Sequence, residues 1–436
     1  MKPTTLETLL SRSIGSTAQP LPRAAIAAWQ GERLRDVVAY CRDRSPFYRR
    51  KLTAAGIKTI QGLADLTALP LTSEAELRAH GPSMLCVSQD AVARIITLPS
   101  SGTTGAPKRL YFTDEDLERT LEFFHLGMQH LVDPGQTVAI LLPGATPDST
   151  GHILARALER MQVPSQILGL VTNPELTARH LAQLRPDVLV GFPVQLLAVA
   201  STAASLTIPM GAIRSVLLCS DYIPESVSTQ LRQLLACEIF THYGTVETGL
   251  GGGVDCAAHC GCHLREADLL FEIIDPQTAA PLPEGEWGEI VFTTLTRTGM
   301  PLLRYRTGDS GRLLPGLCRC GSAIHRLDRV LGRLNQIRTL ENGARIALPD
   351  LDELLFAIPG LLDFKASLTR THGQEILQLR LTTLPDSGET VRRLATAALS
   401  RHPALQGLSV RLSLEPGTTI HPGKRTLADN RKDNQP

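Results

Sequence analysis

Apolar and polar positions along the chain repeat with two different periods, and where the period changes marks its divisions. Over residues 24–56, Leu34, Val37, Val38 and Cys41 share one helical face, while Arg33, Arg35, Arg42 and Arg44 lie mostly elsewhere. That is the spacing of an amphipathic helix. From residue 90 onward, apolar runs alternate with helical stretches. A strand pattern at 137–142 stops at Pro143 and Gly144, helical character resumes over 152–161, and further strand runs occupy 187–190 and 215–219. Such alternation predicts parallel strands joined by crossover helices, with ligands beyond the carboxyl ends of the strands. After about residue 255, short strand patterns at 269–274, 288–292 and 312–314 are separated by Pro- and Gly-rich turns, which predicts a smaller β subdomain. From residue 335 a helix at 348–356, a strand at 376–381, a helix at 391–400 and an alternating strand at 408–414 predict a small α+β unit. The fold class is therefore α/β: a large N-terminal domain with mixed, mostly parallel sheets, followed by a small α+β domain.

The chain has 436 residues, which suggests two or three domains at ~150 residues each. It carries 44 Lys and Arg against 43 Asp and Glu, a formal charge of +1. No basic excess points to nucleic acid, whose phosphate backbone calls for one. The first twenty residues contain no apolar core with basic flanks, so no secretory signal is expected. Residues 188–213 carry no formal charge and are long enough to span a bilayer. Pro193, Gln195, Ser201, Thr202, Pro209 and Gly211 interrupt them. A buried strand, a turn and a helix fit better than a membrane span. Five of the nine cysteines fall between 256 and 320. In the reducing, cytoplasmic compartment expected here, such clustering favours a metal over disulfides.

The sharpest chemical signal is the loop Ser100, Ser101, Gly102, Thr103, Thr104, Gly105, Ala106, Pro107, Lys108. Two glycines let the backbone turn its N–H groups inward, four hydroxyls add donors and Lys108 adds charge. Such a loop suits polyphosphate. It is not a Walker loop, because no Gly-Lys pair followed by Ser or Thr is present.

This loop resembles the phosphate loop of the adenylate-forming enzymes: acyl- and aryl-CoA synthetases, luciferases and nonribosomal adenylation domains. Further segments follow in that family's order. Tyr243-Gly244-Thr245-Val246-Glu247-Thr248 resembles its aromatic-Gly-x-x-Glu segment, and Tyr305-Arg306-Thr307-Gly308-Asp309 its ribose-binding motif. Gly332-Arg333 resembles its hinge and Pro422-Gly423-Lys424 its C-terminal Gly-Lys. Ser45-Pro46-Phe47-Tyr48-Arg49 and Met300-Pro301-Leu302-Leu303-Arg304 are similar to the phenylacetate-CoA ligase branch. The resemblance covers nearly the whole chain. It implies an N-terminal domain over 1–333, with the β subdomain at about 255–330, and a mobile C-terminal domain over 334–436.

The resemblance also implies roles. Lys424, Glu247 and Thr104 are expected to be catalytic. The nucleotide is expected to contact Ser100, Ser101, Gly102, Thr103, Thr104, Gly105, Lys108, Ser220, Asp221, Tyr243, Gly244, Thr245, Asp309 and Arg333. Glu247 would hold Mg²⁺, which bridges phosphate oxygens. Tyr243 offers a face for adenine, and Asp309 can accept from two ribose hydroxyls. Lys424 would neutralise charge at the attacked α-phosphate. Three departures stand out: Asp221 where the branch has Glu, Val246 where a hydroxyl residue is usual, and Leu334-Asn335-Gln336 where a hinge Asp is common.

Cys318-Arg319-Cys320 needs a second pair of ligands for tetrahedral zinc. The segment Cys256 to His263 offers Cys256, His259, Cys260, Cys262 and His263. Resemblance to members of the ligase branch selects Cys256, His263, Cys318 and Cys320, and the rival set is Cys256, Cys260, Cys262 with His259. A closed structural site would brace the small β subdomain.

The expected activity is ATP-dependent activation of a carboxylic acid, aromatic if Phe192 and Tyr222 line its pocket, to an acyl-adenylate. Transfer to the thiol of coenzyme A follows. An adenylating enzyme with an amine or carrier-protein acceptor is one alternative, and a catalytically silent zinc-stabilised binding protein another. The expected partners are small molecules, with neither nucleic acid nor membrane, and the family resemblance implies a homodimer.

Overall fold

The computed structural model describes residues 3–98, 107–417 and 419–431. The chain forms two compact units, each built from two stretches: Met1–His130 with Thr241–Val330, and Leu131–Phe240 with Leu331–Pro436. The last crossing, after Val330, lies three residues before the hinge position expected from the sequence.

In the first unit the helical pattern of 24–56 is realised as two helices, Arg23–Arg44 and Pro46–Ala54. The break has a local cause. Ser45 is extended and its side chain accepts from the Tyr48 N–H, with Pro46 at the first helical position, a combination that starts a helix. Leu34, Val37, Val38 and Cys41 are buried as the period required. Arg94–Leu98 pairs antiparallel with Lys108–Phe112. The β-rich segment holds an antiparallel sheet of Leu269–Ile274, Gly288–Thr294 and Tyr305–Gly311. Its core includes Tyr48, Phe292 and Tyr305, each 1 % exposed or less. Burying a side chain of this size contributes roughly 1.5–3 kcal/mol.

In the second unit Ser165–Ile167, Val138–Leu141, Val188–Gly191 and Ser215–Leu218 lie parallel in that order. Thr150–Arg160, Pro174–Leu184 and Pro193–Ser205 are the helices between them. Apart from the exposed edge strand Ser165–Ile167, these strands are buried throughout, which explains their continuous apolar runs. The charge-free stretch is thus a core strand and a core helix. No helix among the described residues is long and apolar enough to cross a membrane. The C-terminal part adds a four-stranded sheet in which Leu361–Thr371 and Gln374–Thr383 form the central antiparallel pair. Ser409–Pro416 and Leu427–Asp429 flank that pair in parallel, and the helices Leu348–Leu355 and Gly388–Arg401 accompany it. The architecture is mixed α/β.

Candidate functional site

The expected site residues divide between the two units. Ser100, Ser101, Gly102, Thr103, Thr104 and Gly105 lie outside the described residues. In the first unit, Lys108 opens the strand that follows the loop and is 4 % exposed. Its ammonium forms an ion pair with Glu247, whose Oε1 also accepts from the Tyr305 hydroxyl at 3.1 Å. Glu74 lies 3.4 Å from the same ammonium. Glu247 is itself 3 % exposed, so the pair works in a medium of low polarity, where it is strong but costly to break.

Backbone chemistry fixes Glu247 locally. The Thr245 N–H donates to Thr248 Oγ1 at 3.0 Å, and the Thr248 N–H donates to Thr245 Oγ1 at 3.3 Å. Gly244 is packed so closely that a Cβ there would lie 2.6 Å from the Leu250 carbonyl oxygen.

The strand Tyr305–Gly311 buries Tyr305, Thr307 and Asp309 on one face. The Tyr243 hydroxyl donates to Asp309 Oδ2 at 3.1 Å, and Thr307 Oγ1 accepts from the Asp309 N–H at 3.0 Å. Burial, then the Asp309 charge, pushes the Tyr243 phenol well above its ordinary range. The arginines of this motif serve the fold. Arg304 forms a two-pronged pair with Glu272 at 3.0 and 2.9 Å, and Arg306 binds Glu289 at 2.8 Å.

The first unit also brings Cys256, His263, Cys318 and Cys320 together, all buried, with ligand atoms within 4.8 Å of one another. Cys320 Sγ lies 3.4 Å from His263 Nε2 and Cys256 Sγ lies 3.8 Å from Cys318 Sγ. Three thiols and one imidazole suit a tetrahedral zinc. A hydrogen bond with Cys256, seconded by His263, lowers the Cys320 thiol, while the same bond raises Cys256 and burial raises Cys318. The other members of the rival set have different partners. Cys260 Sγ accepts from Arg319 at 2.8 Å, Cys262 Sγ donates to the Thr241 carbonyl at 3.5 Å, and His259 Nδ1 meets Asp255 at 2.9 Å.

In the second unit Ser220 follows the strand Ser215–Leu218 with φ +74°, a left-handed conformation that marks a constrained turn. Asp221 Oδ1 accepts from the Tyr222 N–H at 2.9 Å. Burial raises the Asp221 carboxyl, and the charges of Lys424, Arg425 and Arg333 oppose the shift. Asp221, Arg333 and Lys424 are therefore electrostatic neighbours. Lys424 is exposed, but its loop is tethered. Gln195 donates to the Pro422 carbonyl at 2.9 Å, and the Ile420 N–H donates to the Thr172 carbonyl at 3.0 Å. Leu334–Gln336, at the expected hinge, is a short 3₁₀ turn.

Sequence reasoning missed several members. Tyr305 stood in a quoted motif, and its period-two phase with Asp309 was the available signal. Arg425, beside Lys424, is sandwiched against Phe356 and Phe364 at 4.8 and 5.0 Å and pairs with Asp352 at 2.8 Å. Glu353 accepts from the Tyr222 hydroxyl at 2.8 Å and the Glu225 N–H at 3.0 Å, capping the helix Glu225–Leu235.

Comparison with known proteins adds an independent view. The profile of the AMP-binding enzyme family matches residues 23–296. A phenylacetate-coenzyme A ligase of Thermus thermophilus is 33 % identical over 369 residues, 81 % of this chain and 80 % of the relative. The phenylacetate-coenzyme A ligase of Escherichia coli K12 is 26 % identical over 350 residues, 75 % of each chain. Among solved structures, 2-hydroxyisobutyryl-CoA ligase in the postadenylation state with 2-HIB-AMP superposes with a TM-score of 0.80 at 19 % identity. That match covers 95 % of this chain and 92 % of the other.

Proposed function

The chain belongs to the AMP-binding enzyme family, in its phenylacetate-coenzyme A ligase branch, and on that footing we propose that it is an AMP-forming acid–CoA ligase. The acid's carboxylate attacks the α-phosphate of ATP and pyrophosphate leaves. The thiol of coenzyme A then attacks the acyl carbon and AMP leaves. The thiol is its own nucleophile, so the protein's task is positioning and charge stabilisation. The observation that carries the reading is the buried constellation of Lys108, Glu247, Tyr305, Tyr243 and Asp309 within one unit, arranged on motifs in the family's order.

Each side chain has work that fits its chemistry. Asp309 accepts from the ribose hydroxyls, Tyr243 stacks on adenine, and Lys108 with the residues of the 100–105 loop holds the phosphates. Lys424 offsets charge that develops at the α-phosphate, with Asp221 and Arg333 as its charged neighbours. Mg²⁺ would be held by Glu247, a hard oxygen donor, and would neutralise phosphate charge there.

A structural zinc on Cys256, His263, Cys318 and Cys320 belongs to the same reading, supported by the convergence of four buried soft donors. The acid is an aryl or arylacetate carboxylate, supported by the similarity to phenylacetate-coenzyme A ligases. A mobile domain from residue 334 onward, a homodimer and a cytoplasmic location complete the reading. They rest on the resemblance.

The test is ATP–pyrophosphate exchange across a panel of aryl, arylacetate and aliphatic acids, followed by product mass with coenzyme A. Acid-dependent exchange and a CoA thioester are expected. Exchange with no acid on the panel sinks the ligase reading, and exchange without a thioester moves the acceptor to an amine or carrier.

A further inference from the structure

In the first unit a small cleft is lined by Arg119, Thr120, Gly249, Arg265, Asp268 and Arg297, with Asp116 also at its wall. Arg297 is 9 % exposed. Among the described residues its guanidinium has no hydrogen bond and no ion pair, and it rests over the Phe112 ring at 5.2 Å. The nearby carboxylates are committed elsewhere. Asp116 accepts from the N–H groups of Thr113, Thr298 and Gly299 at 3.1, 2.9 and 3.0 Å. Asp268 accepts from Arg265 Nε at 2.6 Å, Arg119 Nη1 at 3.2 Å and Thr296 Oγ1 at 2.6 Å.

The donors converge. A Cβ placed on Gly249 would lie 3.1 Å from Arg297 Nη2, 3.3 Å from Thr120 Oγ1 and 3.9 Å from Arg265 Nη1. Arg119 Nε is buried without a hydrogen-bond partner. Three guanidiniums thus face two carboxylates already in use.

We propose that this cleft is a binding site for a phosphate-type oxyanion, held by Arg297 with the spare donors of Arg265 and Arg119. An uncompensated buried cation is expensive, and each unsatisfied buried donor calls for an explanation. A planar fork of N–H groups matches two oxygens of one anion, and two converging guanidiniums favour a doubly charged tetrahedral anion over a monocarboxylate. Burial pulls the Arg297 guanidinium down to about 10, and the charges of Asp116, Glu247 and Asp268 oppose that shift only in part. The residues proposed here are not among those the ligase reading assigns, although Glu247 is an electrostatic neighbour of Arg297.

The experiment is thermal melting of the full chain in inorganic phosphate, with chloride at equal ionic strength as the reference. A saturable rise in melting temperature is expected. Arg297→Met is expected to weaken the apparent affinity for phosphate at least about tenfold, and Arg297→Lys by less, as befits a charge-assisted bond. The absence of a saturable rise in the unmutated protein, or an equal rise in Arg297→Met, overturns the proposal. Should Arg297→Met fail to fold, the unmutated titration and Arg297→Lys decide it. Two further arms name the source. Stronger protection by coenzyme A than by its 3′-dephospho form, with phosphate competing, identifies a phosphate group on a larger ligand. Equal protection by the two forms identifies a free anion.

Discussion

Replacing Lys108 by methionine removes one charge from a pair whose side chains are each 5 % exposed while keeping much of the apolar stem. Glu247 then stays buried with its cation gone, although the Tyr305 hydroxyl still donates to it. Breaking a buried ion pair from one side costs about 3–5 kcal/mol. Adding Glu247→Gln removes the stranded charge and leaves an oxygen for Tyr305 to bind, so the double variant recovers all but about 1–2 kcal/mol. Glu247→Gln alone leaves the Lys108 ammonium with Glu74 at 3.4 Å and should cost less, about 1–2 kcal/mol, so the interaction energy in a double-mutant cycle is expected at roughly 3–5 kcal/mol. Denaturant unfolding followed by tryptophan fluorescence suits the question, because Trp29 and Trp287, the chain's two tryptophans, both belong to the unit that carries the pair. ATP–pyrophosphate exchange on the same proteins is expected to be lost in both single variants and in the double. A cost below about 1 kcal/mol for Lys108→Met, or strict additivity, would refute the claim that a buried charge pair organises this site.

Glu266 gives a pH prediction. Burial would raise its carboxyl, but hydrogen bonds and charge from His325 and Arg23 outweigh that and hold it at about 2. A depressed carboxylate stabilises the fold above its unfolded value near 4.5, and that contribution is lost as pH falls towards 2. The shift corresponds to about 3 kcal/mol, so Glu266→Gln should flatten the acid limb of stability measured between pH 2 and 5. Cys320→Ser should lower zinc content measured by elemental analysis and reduce the melting temperature, and a chelator should reproduce the loss in the unmutated protein. Lys424→Ala should cut the exchange rate by about 10²–10³-fold. Because Lys424 is exposed, its melting temperature should barely change.

The strand at 269–274 matches its sequence pattern residue for residue, because an apolar run between turns leaves few alternatives. The break at Ser45 has an equally local cause, a Ser-Pro helix start, but the apolar period over 24–56 reads through it as one helical stretch. The strand Leu361–Thr371 escapes the sequence pattern although Phe364, Ala366 and Leu368 alternate there, because the alternation is short. At the site, the motif residues were readable one by one, but their partnerships were not. Lys108 meets Glu247 across 139 residues and Tyr305 meets it across 58. No local period encodes such pairs. The cysteines posed the opposite difficulty: the sequence offered more thiols than one metal takes, and only backbone geometry sends Cys260 to Arg319 and Cys262 to Thr241.

The chain passes between the two units three times, after His130, Phe240 and Val330. During synthesis, the opening helices must therefore wait for partners made much later: Arg23 finds Glu266 243 residues downstream. Closing so wide a loop is slow relative to local helix formation, which leaves apolar faces uncovered on the ribosome and open to chaperones. A single cut at any crossing would leave incomplete halves rather than two folded pieces, so this enzyme should be shortened or split only at its surface loops.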